Sequence, residues 1–431
     1  MSEFAARRQQ LLDAMGDGVA VFPSAPLALR NHDVEHPYRQ DSDLHYLSGF
    51  DEPESLLLLT NQHADHRVVL FVRPRKRERE IWDGPRAGVE GAVRDFGADA
   101  AFPIEELAQR LPDYLGNVER LHYRIATNGQ ADAKIFDCLN QLRRGGRRGI
   151  VAPEVIVDSS VHLHELRLRK SDEELALMRQ AAAITREAHL RAMQLANAGV
   201  REYEIDAELL HAFRKHGSER PAYESIVGSG PNATILHYRA GNRVMNDGEL
   251  LLIDAGCEYE YYASDVTRTF PVNGKFTPEQ RAIYELVLHA QKASIEAVRP
   301  GVTLDDIHDG AVRTITEGLI ELGLLSGNLD SLIEEKKYEA FYMHRTSHWL
   351  GMDVHDVGHY YRGGKQRSLE AGFVLTVEPG IYIATDSEAV DERWRGIGVR
   401  IEDDVVVTDS SSEVLTAGIP KEIDELEAAC A

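Results

Sequence analysis

Two stretches of this chain repeat one another, and the repeat leaves few folds open. NDGELLLIDAG (246–256) matches EAGFVLTVEPG (370–380) at an offset of 124, with Asp254 falling on Glu378. Upstream, ANAGVREYEID (196–206) matches VRPGVTLDDIHD (298–309), with Gly199-Val200 and Gly301-Val302 in register at an offset of 102. The offset grows because the second half carries extra sequence around LLSGNLDSLIEEKKYE. Each half reads helix, helix, hairpin, and two such halves bury together an apolar face that neither can bury alone. The pattern predicts an α+β domain with internal pseudo-symmetry, its helices covering one face of a curved, largely antiparallel sheet.

A buried strand has no ordinary place for an acid, yet LLIDAGCEYEYYASDVTRTF (251–270) puts Asp254 in one strand and Asp265 in the next. A turn centred on Tyr259 and Glu260 would set them directly opposite, with Cβ atoms about 5 Å apart. GFVLTVEPGIYI and GIGVRIEDDVVVT make a second hairpin of the same kind, and pairing about residue 390 sets Glu378 against Glu402. Carboxylates that close repel, so in an apolar setting one must hold a proton or all must share a cation. Between the hairpins, HRTSHWLGMDVHDVGHY holds His344, His348, His355 and His359, adding imidazole nitrogen and acid–base capacity. Four carboxylates and one imidazole suffice for two divalent ions, suiting manganese or cobalt and compatible with zinc or magnesium. Two such ions about 3.5–4 Å apart can hold a bridging hydroxide near neutral pH and polarise a carbonyl. The residues themselves therefore point to a metal-activated hydrolase.

The rest of the chain sets the context. The first 150 or so residues alternate short apolar runs (GVAVFPS, SLLLLT, HRVVLFV) with helical patterns (IEELAQRLPDYL, AKIFDCLNQLRRG), which reads as an α/β domain. The boundary falls in 165–172, before the capping box Ser171–Glu174, giving domains 1–168 and 169–431. Thr277 and Gln280 make a second capping box, with Pro278 in the first turn. The opening MSEFAARRQQLLDAMGDG reads as an amphipathic helix, neither signal peptide nor membrane span. A net charge of −23 opposes partnership with nucleic acid or anionic membranes, and the run RPRKRERE (73–80) reads as a solvated loop. Three cysteines without CxxC spacing fit a reducing compartment and a soluble cytoplasmic protein.

Several lookalikes fall away. HRTSH and HDVGH lack the glutamate of a zinc-protease helix. GSGPNA contains Pro231 and runs into the strand-like TILHY, leaving no helix to receive a pyrophosphate. NAT at Asn232 has no secretory context, and Cys257 reads as a small buried apolar residue.

The order Asp254, Asp265, His348, Glu378, Glu402, with the flanking ILHY, HWLGMDVHDVG, TVEPGIYI, RGIGVRIEDD and YRQDSDLHYLSGF, resembles the pita-bread metallopeptidases of the aminopeptidase P group, with prolidase as close kin. The resemblance covers essentially the whole chain. It implies a C-terminal pita-bread domain preceded by a smaller α/β creatinase-like domain that supports oligomerisation and restricts access to the cleft. It implies two divalent ions, most readily Mn2+ with Co2+ or Zn2+ as alternatives. Asp265 and Glu402 would bridge them, Asp254 would complete one shell, and His348 with Glu378 would complete the other. A bridging hydroxide would attack the bond between an N-terminal residue and a following proline, with Glu378 as proton acceptor. His237 and His355 match residues that hold substrate and stabilise the oxyanion. His344 and Arg400 match the proline side of the cleft, with Tyr382 a further candidate there. Trp82 resembles a tryptophan that the N-terminal domain contributes near an active site, and His359 matches nothing. The implied substrates are peptides with proline second, acted on by a homo-oligomer, dimer or tetramer. The alternatives are a dipeptide-only prolidase and a metal-free binding module on the same fold, which would be expected to have lost ligands.

Overall fold

The computed structural model describes residues 2–430, divided into two compact units, one ending at Arg167 and the next beginning at Leu168.

The first unit is built on a six-stranded mixed sheet. Its order is Ala100–Pro103, Val68–Val72, Leu56–Thr60, Val19–Pro23, Arg120–His122, Val155–Val157. The three central strands pair antiparallel and the outer ones add in parallel. Val19, Leu58, Phe71, Leu111 and Leu139 meet in one buried cluster between sheet and helices. SDLHYLS forms a short helix, Ser42–Ser48, because Asp41 caps it through the Leu44 amide. RPRKRERE is not the loop expected: Arg77–Asp83 is helical, although none of its residues is buried.

The second unit carries the repeat, and its hydrogen bonds reproduce it. Helices Asp172–Leu195 and Glu202–Lys215 in one half correspond to Pro278–Ala297 and Leu304–Glu321 in the other. Ser171–Glu174 and Thr277–Gln280 cap the leading helices as reciprocal boxes. Both leave their first helix and then turn through a glycine of positive φ, Gly199 at 95° and Gly301 at 90°, a conformation that costs glycine little. The Gly199 amide then bonds Met245 O, and the Gly301 amide bonds Leu369 O. The bridges Arg201↔Val244 and Thr303↔Ser368 follow at the same two offsets of 102 and 124. Every strand pairing in this unit is antiparallel, in short ladders that do not close on themselves. Helix residues Ala188, Leu209, Tyr284 and Ile315 share one core with Leu251 and Ile253 of the sheet. TILHY is not a strand: a 3-10 turn, Gly230–Thr234, leads into irregular chain. No helix among the described residues is long and apolar enough to cross a membrane.

Candidate metal centre

Strand Leu250–Asp254 is buried throughout and ends on its acid. Its partner is Thr267–Pro271, in a register that places Asp254 opposite Thr267. The expected direct pairing of Asp254 with Asp265 is therefore corrected: Asp265 lies two residues before Thr267 and faces Asp254 diagonally. The turn falls at Glu260–Tyr261, both at positive φ (47° and 71°), one residue later than the sequence suggested. Tight pairing beyond Asp254 requires Gly256, whose Cβ would lie 1.7 Å from the Ser264 carbonyl oxygen. A third residue closes the diagonal gap. The Tyr223 hydroxyl lies 2.6 Å from Asp254 Oδ1 and 2.5 Å from Asp265 Oδ1.

In the second hairpin the register through Val377↔Asp403 and Gly380↔Arg400 sets Glu378 across from Glu402. Residues 346–350 run alongside this strand, with the Thr376 amide on His348 O and the Glu378 amide on Thr346 O. His348 Nε2 is thereby brought to 3.6 Å from Glu378 Oε1 and 3.3 Å from Asp265 Oδ2. Its Nδ1 donates to Trp349 O at 3.0 Å, so Nε2 is the ring nitrogen that faces the carboxylates. The two hairpins are joined by the Glu402 amide on Thr267 O at 3.1 Å and by Thr267 Oγ1 on Glu402 Oε2 at 2.6 Å. Ligand atoms of Asp265, His348 and Glu402 lie within 4.8 Å of one another. Asp254 is linked to that group through Tyr223, and Glu378 through His348.

The electrostatics are those of an anion cluster deprived of water. Burial first, then the surrounding carboxylates, pushes Glu402 well above the usual carboxylate range. Burial also raises Asp254, against the opposing pull of Arg400, and lifts Glu378 to about 7. Burial would lower His348, but the hydrogen bond to Asp265 and the charges of Glu378 and Asp265 outweigh it and hold the ring at about 9. A phenol has one proton to give, so Tyr223 can donate to only one of its two close carboxylates. Oxygen ligands this crowded and this proton-hungry, with one oriented imidazole, are a donor set that fits divalent cations.

These groups open into a cavity of about 850 Å³. His237 and His355 stand on its walls, exposed. The His355 ring lies edge-on to His348, 4.4 Å between centroids. Arg400, 3% exposed, sends Nη2 to Asp254 Oδ2 at 2.5 Å, Nε to Thr267 Oγ1 at 3.0 Å and Nη1 to the Tyr382 hydroxyl at 2.9 Å. The Tyr382 hydroxyl in turn lies 2.9 Å from His344 Nε2, while His344 Nδ1 donates to Arg345 O at 2.8 Å. Burial, with Arg400 adding to it, lowers His344 to about 3, so it stands neutral as the acceptor at the end of that chain. His359 is exposed and off the cavity, and Trp82, 84% exposed in the first unit, is not among the lining residues.

Sequence reasoning missed Tyr223, Thr267 and Asp404. Buried Asp404 accepts Ser264 Oγ at 2.9 Å and the Asp265 amide at 3.2 Å. Burial, then the Asp265 charge, raises it well above its ordinary value. Its signal was present: three successive acids, Glu402, Asp403 and Asp404, in an otherwise apolar strand each need a partner.

The chain is similar to known proteins along nearly its whole length. Residues 176–409 match the model of metallopeptidase family M24, and residues 4–122 match that of the aminopeptidase P N-terminal domain. The chain is 46% identical to the Xaa-Pro aminopeptidase of Escherichia coli over 428 residues, 99% of this chain and 97% of that protein. It is 35% identical to mouse Xaa-Pro aminopeptidase 3 over 443 residues, 99% of this chain and 85% of that one. Among solved structures, the aminopeptidase PepP of Pseudomonas aeruginosa superposes with a TM-score of 0.98 at 51% identity, covering 99% and 97% of the two chains. Zinc-substituted E. coli aminopeptidase P in complex with product gives 0.97 at 45%, covering 100% and 98%.

Proposed function

The chain belongs to metallopeptidase family M24, and from that premise we propose that it is an Xaa-Pro aminopeptidase, a metal-dependent hydrolase that releases the N-terminal residue preceding proline. The observation that carries this reading is the convergence of acids from two sibling hairpins, with one oriented imidazole, on a single cavity. Asp254, Asp265, His348, Glu378 and Glu402 would hold two divalent ions, most readily manganese, with cobalt or zinc as alternatives. Bound there, the ions supply Lewis acidity towards the scissile carbonyl and lower the pKa of water.

The remaining work falls to the chain. Glu378 takes the proton from the attacking water and can return it to the prolyl nitrogen as that amine leaves. His237 and His355 offer ring N–H groups to the carbonyl oxygen as it gains charge. An Xaa-Pro bond has no N–H for a site to grip. Recognition must therefore come from shape, and the wall of Arg400, Tyr382 and neutral His344, locked by mutual hydrogen bonds, is suited to that task.

The N-terminal domain, taken as 1–168, mediates oligomerisation and access to the cleft of domain 169–431. Ile81 and Trp82, 75% and 84% exposed on an unburied helix, support a role for that helix outside its own unit. Three unpaired cysteines support a cytoplasmic location.

Protein purified without chelator and supplied with manganese is expected to release arginine from Arg-Pro-Pro and to lose that activity in EDTA. Hydrolysis of Xaa-Pro dipeptides alone would make the protein a prolidase. No hydrolysis with any divalent ion would reject the enzyme.

A further inference from the structure

His355 makes no hydrogen bond through either ring nitrogen among the described residues, so something other than hydrogen bonds of its own must hold the ring edge-on to His348. The next residue is anchored. Asp356 Oδ2 accepts Lys170 Nζ at 2.9 Å, and both side chains are 1% exposed. An ion pair so fully removed from water recovers in attraction about what its dehydration costs, so two apolar side chains could hold the fold as well. What an apolar pair could not supply is direction.

The surroundings supply that direction. The Asp356 amide donates to Trp349 O at 2.9 Å, the same carbonyl that receives His348 Nδ1 at 3.0 Å. The chain wraps the carboxylate so closely that a Cβ on Gly351 would lie 2.1 Å from Asp356 Oδ2 and 2.8 Å from Lys170 Cε. At the other end the Lys170 amide donates to Gly372 O at 2.8 Å, just before strand Val374–Val377, which leads to Glu378. One lysine thus bears through its side chain on the loop of His355 and through its backbone on the strand before Glu378.

We propose that the Lys170–Asp356 ion pair is a positioning element for the reaction, fixing residues 349–356 so that the His355 ring stands edge-on to His348 and faces the cavity. This rests on the reading of His355 as a substrate-binding group. The pair touches no substrate and acts through His355.

Asp356→Asn, which keeps shape and removes charge, tests it. In fully metal-loaded protein kcat is expected to fall about 10- to 100-fold, with KM moving less. Added to His355→Ala, the same substitution is expected to cost no more than about 2-fold, because the ring it places is gone. Equal losses in both backgrounds, or undiminished kcat in D356N, overturn the proposal. The ring NMR signals of His355 in metal-free protein require no turnover: a shift in D356N supports the placement and an unchanged signal overturns it. Absence of Xaa-Pro hydrolysis in the parent protein defeats the functional reading instead and leaves those signals to decide the placement. Should D356N not fold, K170M/D356L removes both charges at similar volume and enters the same cycle under the same criteria.

Discussion

Arg268 is expected to hold the two halves of the second unit together, and its replacement should be costly in proportion to the bonds it makes. It is fully buried, and all five of its N–H groups find acceptors. Nε donates to Pro420 O at 2.9 Å, Nη1 to Thr267 O and Glu402 O at 2.9 and 2.6 Å, and Nη2 to Asp403 Oδ1 and Ile419 O at 2.7 and 3.0 Å. Thr267 belongs to the first hairpin and Glu402 to the second, so one guanidinium spans the seam. Breaking a buried ion pair by deleting one partner costs about 3–5 kcal/mol. Asp403 would keep Lys421 Nζ at 2.6 Å and Gln291 Nε2 at 2.8 Å, which moderates the orphaned charge. Four carbonyls also lose a donor, and about 4 kcal/mol is expected for Arg268→Met. Arg268→Lys keeps the charge but has three donors for five acceptors, so at least two bonds go, at about 1 kcal/mol each. The assay is equilibrium urea unfolding at pH 7, with Trp349 and Trp394, both buried in this unit, as fluorescent reporters. A loss below about 1 kcal/mol in R268M, or R268K as stable as the parent, would refute the reasoning.

Other consequences are open to measurement. Asp265→Ala removes the acid that reaches both His348 and Tyr223. Turnover on an Xaa-Pro peptide should fall by more than about 100-fold, the upper end for changes one step further from a metal; near-normal turnover contradicts the ligand assignment. Burial lowers His189 from 6.5 to about 4 while its Nε2 donates to Ala255 O. The unfolded chain therefore takes up that proton first, so stability is full above about pH 6.5 and falls by about 3 kcal/mol as pH drops towards 4. Urea titrations across that window should show a flatter pH dependence in His189→Gln, and an identical slope would sink the assignment. Gly256→Ala sets a methyl against the Ser264 carbonyl and should cost at least about 3 kcal/mol; unfolding within 1 kcal/mol of the parent would mean the hairpin can relax around it.

What could be read from adjacent residues was read correctly where local preference decides the outcome. The capping boxes at Ser171 and Thr277 and the acid-bearing strands are each encoded within a few residues, and the two-half repeat, with Gly199 and Gly301 in register, shows as a match between such stretches. The chemistry of the ligand set was legible too, because carboxylates and imidazole carry their own metal preference. The first hairpin was misjudged by one residue because its turn uses Glu260 and Tyr261 at positive φ, with no glycine or asparagine to announce it. Only the folded chain could decide that Tyr223 lies between Asp254 and Asp265, that Arg400 reaches Asp254 from 146 residues away, or that Lys170 meets Asp356 across 186. Backbone preference acts between neighbours. Encounters between distant side chains depend on strand register and on how the two halves pack, and neither is written at any single place in the sequence.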